Sequence, residues 1–167
     1  PYRVNHLSLK KIAEVFADVK SLKSHYEKWS NLFLTDNIIF HYYYLNLFRG
    51  YIQEDRIKTV LEIGAGNGNF PSILFNDWSP NKIIIVDLPE TIAVAYIFLS
   101  NLFPEASIKL PNEIENDNNI LEDKIDFMFL TPNQLDCIKA DSVDLAININ
   151  SFQEMKHKQV DVYFDFI

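Results

Sequence analysis

Three scarcities narrow the classes of protein to which this sequence can belong. Its 167 residues include a single cysteine, Cys137, so a disulfide framework is excluded and a reducing compartment, the cytoplasm, is the expected location. Lys and Arg number 15 against 23 Asp and Glu, which gives a formal net charge of −8. Because nucleic acids and anionic membrane surfaces bind clusters of basic residues, neither is an expected partner.

Long apolar runs are also missing. No stretch is long enough to span a bilayer, and no basic segment followed by an apolar one opens the chain, so neither a membrane span nor a secretory signal is expected. The composition, 48% hydrophobic and 23% charged, is that of a globular domain with a core. The first residue is Pro1 rather than Met, and we therefore expect the chain to be a piece of a longer product.

The pattern of apolar residues divides the chain in two. Residues 1–56 are predicted to be helical, with one helix at 8–19 and a second that begins after Thr35 or Asp36 and ends at Gly50. The second helix carries His, Tyr, Tyr and Tyr at 41–44, which indicates either packing on both sides or the wall of a substrate pocket. Residues 57–167 form the second part.

This second part alternates strands with helices. Asn-rich residues 112–123 are predicted to be a loop, and 107–110 a short strand. The order of elements predicts an α/β fold with a parallel sheet and right-handed crossovers. Buried strands are predicted at 59–63, 82–86, 126–130 and 143–147, and helices at 70–78, 89–102 and 152–166.

A glycine loop follows the first of these strands, in the segment Gly64-Ala65-Gly66-Asn67-Gly68. Glycine lets the backbone turn sharply and approach a ligand with no Cβ in the way, and the next helix points free N–H groups at that ligand. A dinucleotide loop has its third glycine one position later, where this chain has Asn69. The tighter spacing, with Glu62 two residues before the first glycine, favours S-adenosylmethionine (SAM).

A second anchor, Asp87, ends the second strand, 19 residues after Gly68. A carboxylate at this position can accept hydrogen bonds from both ribose hydroxyls of a nucleoside. The alternative is that Asp87 is the N-cap of the helix that starts at Pro89. For Glu62, the alternative to a ligand contact is a buried acid balanced by backbone donors.

These residues resemble a known superfamily. Residues 60–68 and 86–91 resemble the first two motifs of class I SAM-dependent methyltransferases. The segments 129–134 and 144–155 are similar to those of the bacterial sugar O-methyltransferase family, which is associated with decoration of surface polysaccharides. The resemblance implies a Rossmann-like sheet with helices on both faces. That sheet has seven strands, so this chain, reaching about the fourth, would hold an incomplete one.

The resemblance also implies roles at matching positions. The amino-acid end of SAM would lie against Gly64, Ala65, Gly66 and Gly68. Asp87 would bind ribose, and Leu88 would lie against adenine.

Two further pairs would complete the site that the resemblance implies. Asn133 or Gln134 would meet the adenine edge, where many members of the superfamily have Asp. Asn150 and Ser151 would face the cleft in which the methyl group is delivered.

Methyl transfer needs an acceptor held in line with the S–CH₃ bond, and a general base assists when the acceptor is a hydroxyl. His157 is a candidate base, since it follows Glu154 by three residues and the two are expected on one helical face. The alternative is an exposed pair in a basic run at 156–158. No metal-binding pattern is present in the sequence.

The sequence therefore predicts a SAM-dependent methyltransferase that acts on a hydroxyl of a sugar, a glycan or another small molecule. An NAD-linked oxidoreductase and a SAM-binding module without catalysis are the alternatives. The acceptor, the methylated atom, the general base and the oligomeric state, a homo-oligomer included, are left open.

Overall fold

The computed structural model describes residues 36–114 and 124–167. The chain divides into two compact units, residues 1–53 and 54–167. This division lies close to the boundary expected after residue 56. The helix predicted at 8–19 lies outside the described residues.

The described part of the first unit is helix α1, Asp36–Arg49, which ends before Gly50 as predicted. Ile38, Tyr42 and Leu45 are buried and recur at spacings of four and three, so they share one face of the helix. Burial also lowers the pKa of His41 to about 4, and the imidazole is neutral at pH 7.

The second unit is a parallel α/β structure, as predicted. Its sheet has five strands in the order β3-β4-β2-β1-β5, all parallel. The strands are β1 (Thr59–Ile63), β2 (Lys82–Val86), β3 (Ile108–Lys109), β4 (Phe127–Leu130) and β5 (Leu145–Ile147). The helices are α2 (Asn69–Asp77), α3 (Pro89–Leu102), α4 (Pro111–Ile114) and α5 (His157–Phe166).

Both faces of this sheet are covered, which is why β2, after Lys82, and β4 are continuous apolar runs rather than alternating ones. On one face, alternate residues of β1, β2 and β4 form a buried cluster with Ile114 of α4 and Tyr163 of α5. On the other face, Phe75 of α2 lies 4.7 Å from Phe127, and Tyr96 of α3 lies 6.5 Å from Phe129, between ring centroids.

The amino end of the sheet is held by a carboxylate. Asp144, before β5, accepts hydrogen bonds through Oδ2 from the backbone N–H groups of Lys58 at 2.8 Å and Thr59 at 2.7 Å. At the opposite, carboxyl end, the chain leaves β1 for β2 on one side, whereas β5 lies on the other side of β1. Ligands of open parallel sheets bind where the strand order reverses in this way, at the carboxyl ends of the strands.

Two predictions about the secondary structure are wrong. The single helix expected over 152–166 is two elements, a 3-10 helix at Ser151–Glu154 and α5 at His157–Phe166. Residues 112–114, the start of the loop expected at 112–123, are instead part of helix α4. The rest of that segment up to residue 123 lies outside the described residues. Within the described ranges, no helix is long and apolar enough to cross a membrane.

Candidate functional site

The glycine loop between β1 and α2 uses the conformation that only glycine adopts at low cost. Gly64, Gly66 and Gly68 have φ of +74°, +59° and +85°. Their surroundings differ. A Cβ on Gly64 would overlap the side chain of Ser151, and one on Gly68 would lie 3.3 Å from Leu99 of α3.

Gly66 is the exception within this loop. A Cβ built on it would meet no atom of the described residues within 4 Å, so its side-chain direction opens onto space that those residues leave free. Gly64 and Gly68 are thus explained by close packing inside the protein. Gly66 is explained by its backbone conformation, and it leaves room for a ligand at the tip of the loop.

Asp87 connects this loop to β2. Its Oδ2 accepts a hydrogen bond from the N–H of Gly66 at 3.0 Å, and its Oδ1 accepts one from the N–H of Leu88 at 2.7 Å. The side chain of Thr91 also hydrogen-bonds to this carboxylate. The N-cap of α3 is Leu88, so Asp87 is not the helix N-cap. The carboxylate instead holds the loop at the carboxyl end of the sheet.

Glu62 lies at the end of β1, almost fully buried at 2% exposure. Within residues 36–114 and 124–167 its Oε2 has no hydrogen-bond partner, so among these residues the expectation of a buried acid balanced by backbone donors does not hold for this atom. Burial first, and the neighbouring Asp87 carboxylate second, raise the pKa of Glu62 to about 8. The group is therefore mostly protonated at neutral pH.

The pKa of Asp87 is also raised from its ordinary value, because the group is partly buried. The hydrogen bonds from Leu88, Gly66 and Thr91 stabilise its carboxylate and oppose that effect. Of the two acids at the loop, Asp87 is therefore the one whose ionised form is stabilised by hydrogen bonds.

The carboxyl end of β5 meets the end of β1 through a small polar network. The carbonyl oxygen of Ile63 accepts hydrogen bonds from Asn148 Nδ2 at 2.8 Å and from Ser151 Oγ at 3.0 Å. Asn148 Nδ2 also donates to Ser151 Oγ, and Asn148 Oδ1 accepts from the N–H of Phe152 at 3.2 Å. The predicted residue Ser151 is thus at the loop, directly against Gly64.

The sequence did not single out Asn148, although its position immediately after a buried strand was a usable signal. Asn150 was predicted, and it is exposed with φ of +68°, as the N-cap residue of the 3-10 helix. Its left-handed conformation turns the chain from β5 into that helix.

The two amides after β4 have different surroundings. Gln134 is buried, and its Nε2 donates to the carbonyl of Pro111 at 2.9 Å while its Oε1 accepts from the N–H of Thr131 at 3.0 Å. Asn133 is exposed. Leu88, predicted to lie against adenine, is 57% exposed. Of the predicted adenine contacts, Asn133 and Leu88 are accessible, while the amide of Gln134 is bonded within the protein.

The expected pairing of His157 with Glu154 on one helical face is wrong. Glu154 ends the 3-10 helix and His157 begins α5, so the two belong to different elements. Both side chains are exposed.

Tyr163 of α5 is a residue that the sequence did not single out. It is buried, and its ring lies 5.8 Å from that of Phe152 between centroids. Burial, and then the charge of Asp87, raise the pKa of its hydroxyl. No motif marks this tyrosine; its burial follows from the packing of α5 on the sheet.

A cavity of about 480 Å³ lies elsewhere, between α3, β3 and α4, and is lined by residues that include Tyr96, Ser100 and Glu113. It shares no lining residue with the glycine loop. Among residues 36–114 and 124–167, no group of three or more His, Cys, Asp or Glu side chains is placed to hold a metal ion.

Comparison with known proteins adds no assignment at this point. No protein-family model matches the chain, and no curated protein matches it either.

Proposed function

We propose that this chain binds SAM at the glycine loop and transfers its methyl group to a hydroxyl of a sugar, a glycan or another small molecule. The observation that carries the proposal is the contact of the loop with Asp87 beside the buried Glu62, at the point where the strand order reverses. The free space at Gly66 supplies the room that a ligand needs.

The charges at this loop favour SAM over a dinucleotide. The pyrophosphate of NAD would bring negative charge close to the carboxylate of Asp87, which accepts a hydrogen bond from the loop. SAM has no phosphate and is positively charged at its sulfonium and amino groups, so its charge is opposite to that of Asp87.

Different residues of the chain would contact the ribose, the adenine and the amino-acid end of SAM. Asp87 would accept hydrogen bonding from the ribose at the lone-pair positions that Gly66, Leu88 and Thr91 leave unused. The exposed side chains of Leu88 and Asn133 would contact adenine. The amino-acid end of SAM would lie against the loop residues Gly64, Ala65, Gly66 and Gly68. The side chain of Ser151 packs against Gly64 on the side where a Cβ would be.

SAM supplies an electrophilic methyl group that needs no further activation, so the protein's task is to position an acceptor and remove its proton. The acceptor oxygen forms the new C–O bond as the C–S bond breaks, which yields a methyl ether, S-adenosylhomocysteine and one proton. His157 and Glu154 are the candidate bases, acting separately because they belong to different elements. The exposed, free thiol of Cys137 fits a cytoplasmic location.

Calorimetric titration of the full chain with SAM and with NAD tests the donor half of the proposal. Micromolar affinity for SAM and none for NAD is the expected result, and the reverse would overturn it. S-adenosylhomocysteine release, measured with a panel of nucleotide sugars and glycans, tests the acceptor half. SAM binding without turnover on any member would favour a SAM-binding module. If His157→Gln leaves turnover unchanged, His157 is not the base.

A further inference from the structure

We propose that the outer edge of β3 binds an extended peptide segment of a partner protein. The segment adds a strand to the sheet and places a basic side chain in the cavity between α3 and α4. This inference does not depend on SAM binding, because the cavity shares no lining residue with the glycine loop. Addition of a strand to an unpaired sheet edge is a common way in which proteins hold extended peptides.

The first support is the edge itself. β3 is the outermost strand on its side of the sheet, and among the described strands it pairs with β4 alone. Ile108 of β3 lies opposite Phe127 of β4, and the carbonyl of Ser107 accepts a hydrogen bond from the N–H of Phe127 at 3.1 Å. The backbone groups of successive residues point to opposite sides of a strand, so the N–H and C=O of Ile108 point away from β4. Neither group has a hydrogen-bond partner within residues 36–114 and 124–167.

The second support is the cavity beside this edge. It has a volume of about 480 Å³ and is lined by Ile108, by Tyr96 of α3 and by Glu113 of α4. Ile108 and Phe127 are register partners, so their side chains lie on the same face of the sheet, where Phe127 packs against Phe103. A partner residue that pairs with Ile108 would have its side chain on that same face, and therefore beside the cavity.

The side chains that line the cavity favour a basic residue in the partner. The Oε2 atom of Glu113 accepts a hydrogen bond from the N–H of Leu110 at 2.7 Å, which holds this exposed carboxylate against the end of β3. Tyr96 is 37% exposed. None of the described lining residues is basic, and the side chain of Lys109 lies on the opposite face, because adjacent residues of a strand alternate. A carboxylate and an aromatic ring in one cavity bind a guanidinium by an ion pair and a cation–π contact.

Charge and strand geometry narrow the occupant further. The formal net charge of the chain is −8, so a second copy would bring the same negative charge to the edge, whereas a basic segment is attracted to it. A hydrogen-bonded pair in an antiparallel ladder exchanges both of its bonds between two residues, which suits an edge that offers one free residue. We therefore expect an antiparallel segment in which an Arg or Lys pairs with Ile108, with Arg preferred for its planar guanidinium.

The test uses pools of capped pentapeptides whose central residue is Arg, Lys, Leu or Glu and whose other positions vary among β-branched residues. Titrated against the full chain, the Arg pool should bind at least about tenfold more tightly than the Glu pool, because Glu113 repels a like charge. N-methylation of the central Arg removes the N–H that would pair with the carbonyl of Ile108, and it should abolish binding.

Variants of the chain locate the site. Glu113→Gln keeps an oxygen for the N–H of Leu110 but removes the charge, so affinity for the Arg pool should fall about threefold to tenfold while affinity for the Leu pool is unchanged. The matched control is Glu105→Gln, the same change at an exposed acid just before β3 that does not line the cavity, and it should retain the affinity. In NMR spectra of the isotope-labelled chain, the amide of Ile108 should shift on addition of the Arg pool and that of Gly66 should not.

Several outcomes would overturn the inference. It is wrong if no pool binds at millimolar concentration, if the Arg and Glu pools bind equally, if N-methylation leaves affinity unchanged, or if the amide of Ile108 does not shift. It is also wrong if the chain sediments as a dimer that Ile108→Pro dissociates, since a second copy then occupies the edge. The peptide series decides the question even if Glu113→Gln folds poorly, and none of these results bears on SAM binding.

Discussion

The backbone N–H of Gly66 donates a 3.0 Å hydrogen bond to the carboxylate of Asp87, which joins the glycine loop to the end of β2. One side chain thus fixes the loop and occupies the position of a ribose-binding acid. The two roles are separable by experiment, because loop order affects the stability of the protein whereas ribose binding affects only the affinity for the ligand.

Replacing Asp87 tests its role at the ligand. We expect Asp87→Ala to weaken SAM binding at least tenfold, since it removes the acceptor for ribose and frees the N–H of Gly66. The matched control is Asp126→Ala, since Asp126 Oδ2 also accepts a backbone hydrogen bond, from Ser107 at 2.8 Å, at the other end of the sheet. Calorimetry should show unchanged affinity for that variant; equal losses in the two would contradict a ribose role.

The two glycines at 64 and 66 offer a matched pair. Both have positive φ, so alanine costs about 1–2 kcal/mol of backbone strain at either position. Gly64→Ala adds an overlap with Ser151, whereas Gly66→Ala places its methyl group in open space. In urea unfolding, Gly64→Ala should be clearly the less stable variant. Gly66→Ala should lose ligand affinity while keeping more of its stability. The reverse order would refute this assignment of the free space.

The amides after β4 should respond differently to truncation. Gln134→Ala removes the link between Thr131 and Pro111, so the protein should lose about 1–3 kcal/mol of unfolding free energy. Asn133→Ala changes an exposed side chain and should leave stability nearly unchanged while weakening SAM binding. Thermal unfolding and calorimetry of the two variants check this, and unaltered SAM affinity in Asn133→Ala would remove it from the site.

The pH dependence of stability should report the raised pKa of Glu62. Between its ordinary value of 4.5 and about 8, the folded protein keeps a proton that the unfolded chain has lost, so stability falls as the pH rises through this range. The slope is at most about 1.4 kcal/mol per pH unit. His41, with its pKa lowered to about 4, acts in the opposite direction below pH 6.5, so the effect is clearest between pH 6.5 and 8.

Urea unfolding at half-unit steps over this range measures the slope. Glu62→Gln should flatten it, because the amide does not titrate. A slope that persists unchanged in Glu62→Gln would assign the dependence to another group.

The parts of the fold that were predictable depend on local signals. The strand expected at 82–86 is observed at Lys82–Val86. An uninterrupted run of β-branched residues is typical of a strand whose two faces are both buried, so the run itself predicted the strand. The helix expected from Pro89 to about residue 102 is observed at Pro89–Leu102, where proline at the first helical position sets the start.

The parts that were missed depend on contacts between distant residues. The break after Glu154 follows from the network in which Asn148 and Ser151 bond to the carbonyl of Ile63, far away in the sequence. The helical periodicity of residues 152–166 does not predict that contact, and it therefore does not predict the break. The burial of Gln134 depends in the same way on Pro111, and the location of Tyr163 depends on how α5 packs.

The contact between Gly64 and Ser151 also has a consequence for descent. The side chain of Ser151 fills the volume that a Cβ at position 64 would need. A homologue with a larger residue at position 64 would need glycine at position 151 to avoid this overlap. A homologue with a larger residue at position 151 would need a different conformation of the glycine loop. Positions 64 and 151 should therefore vary together, or not at all, among the descendants of this gene.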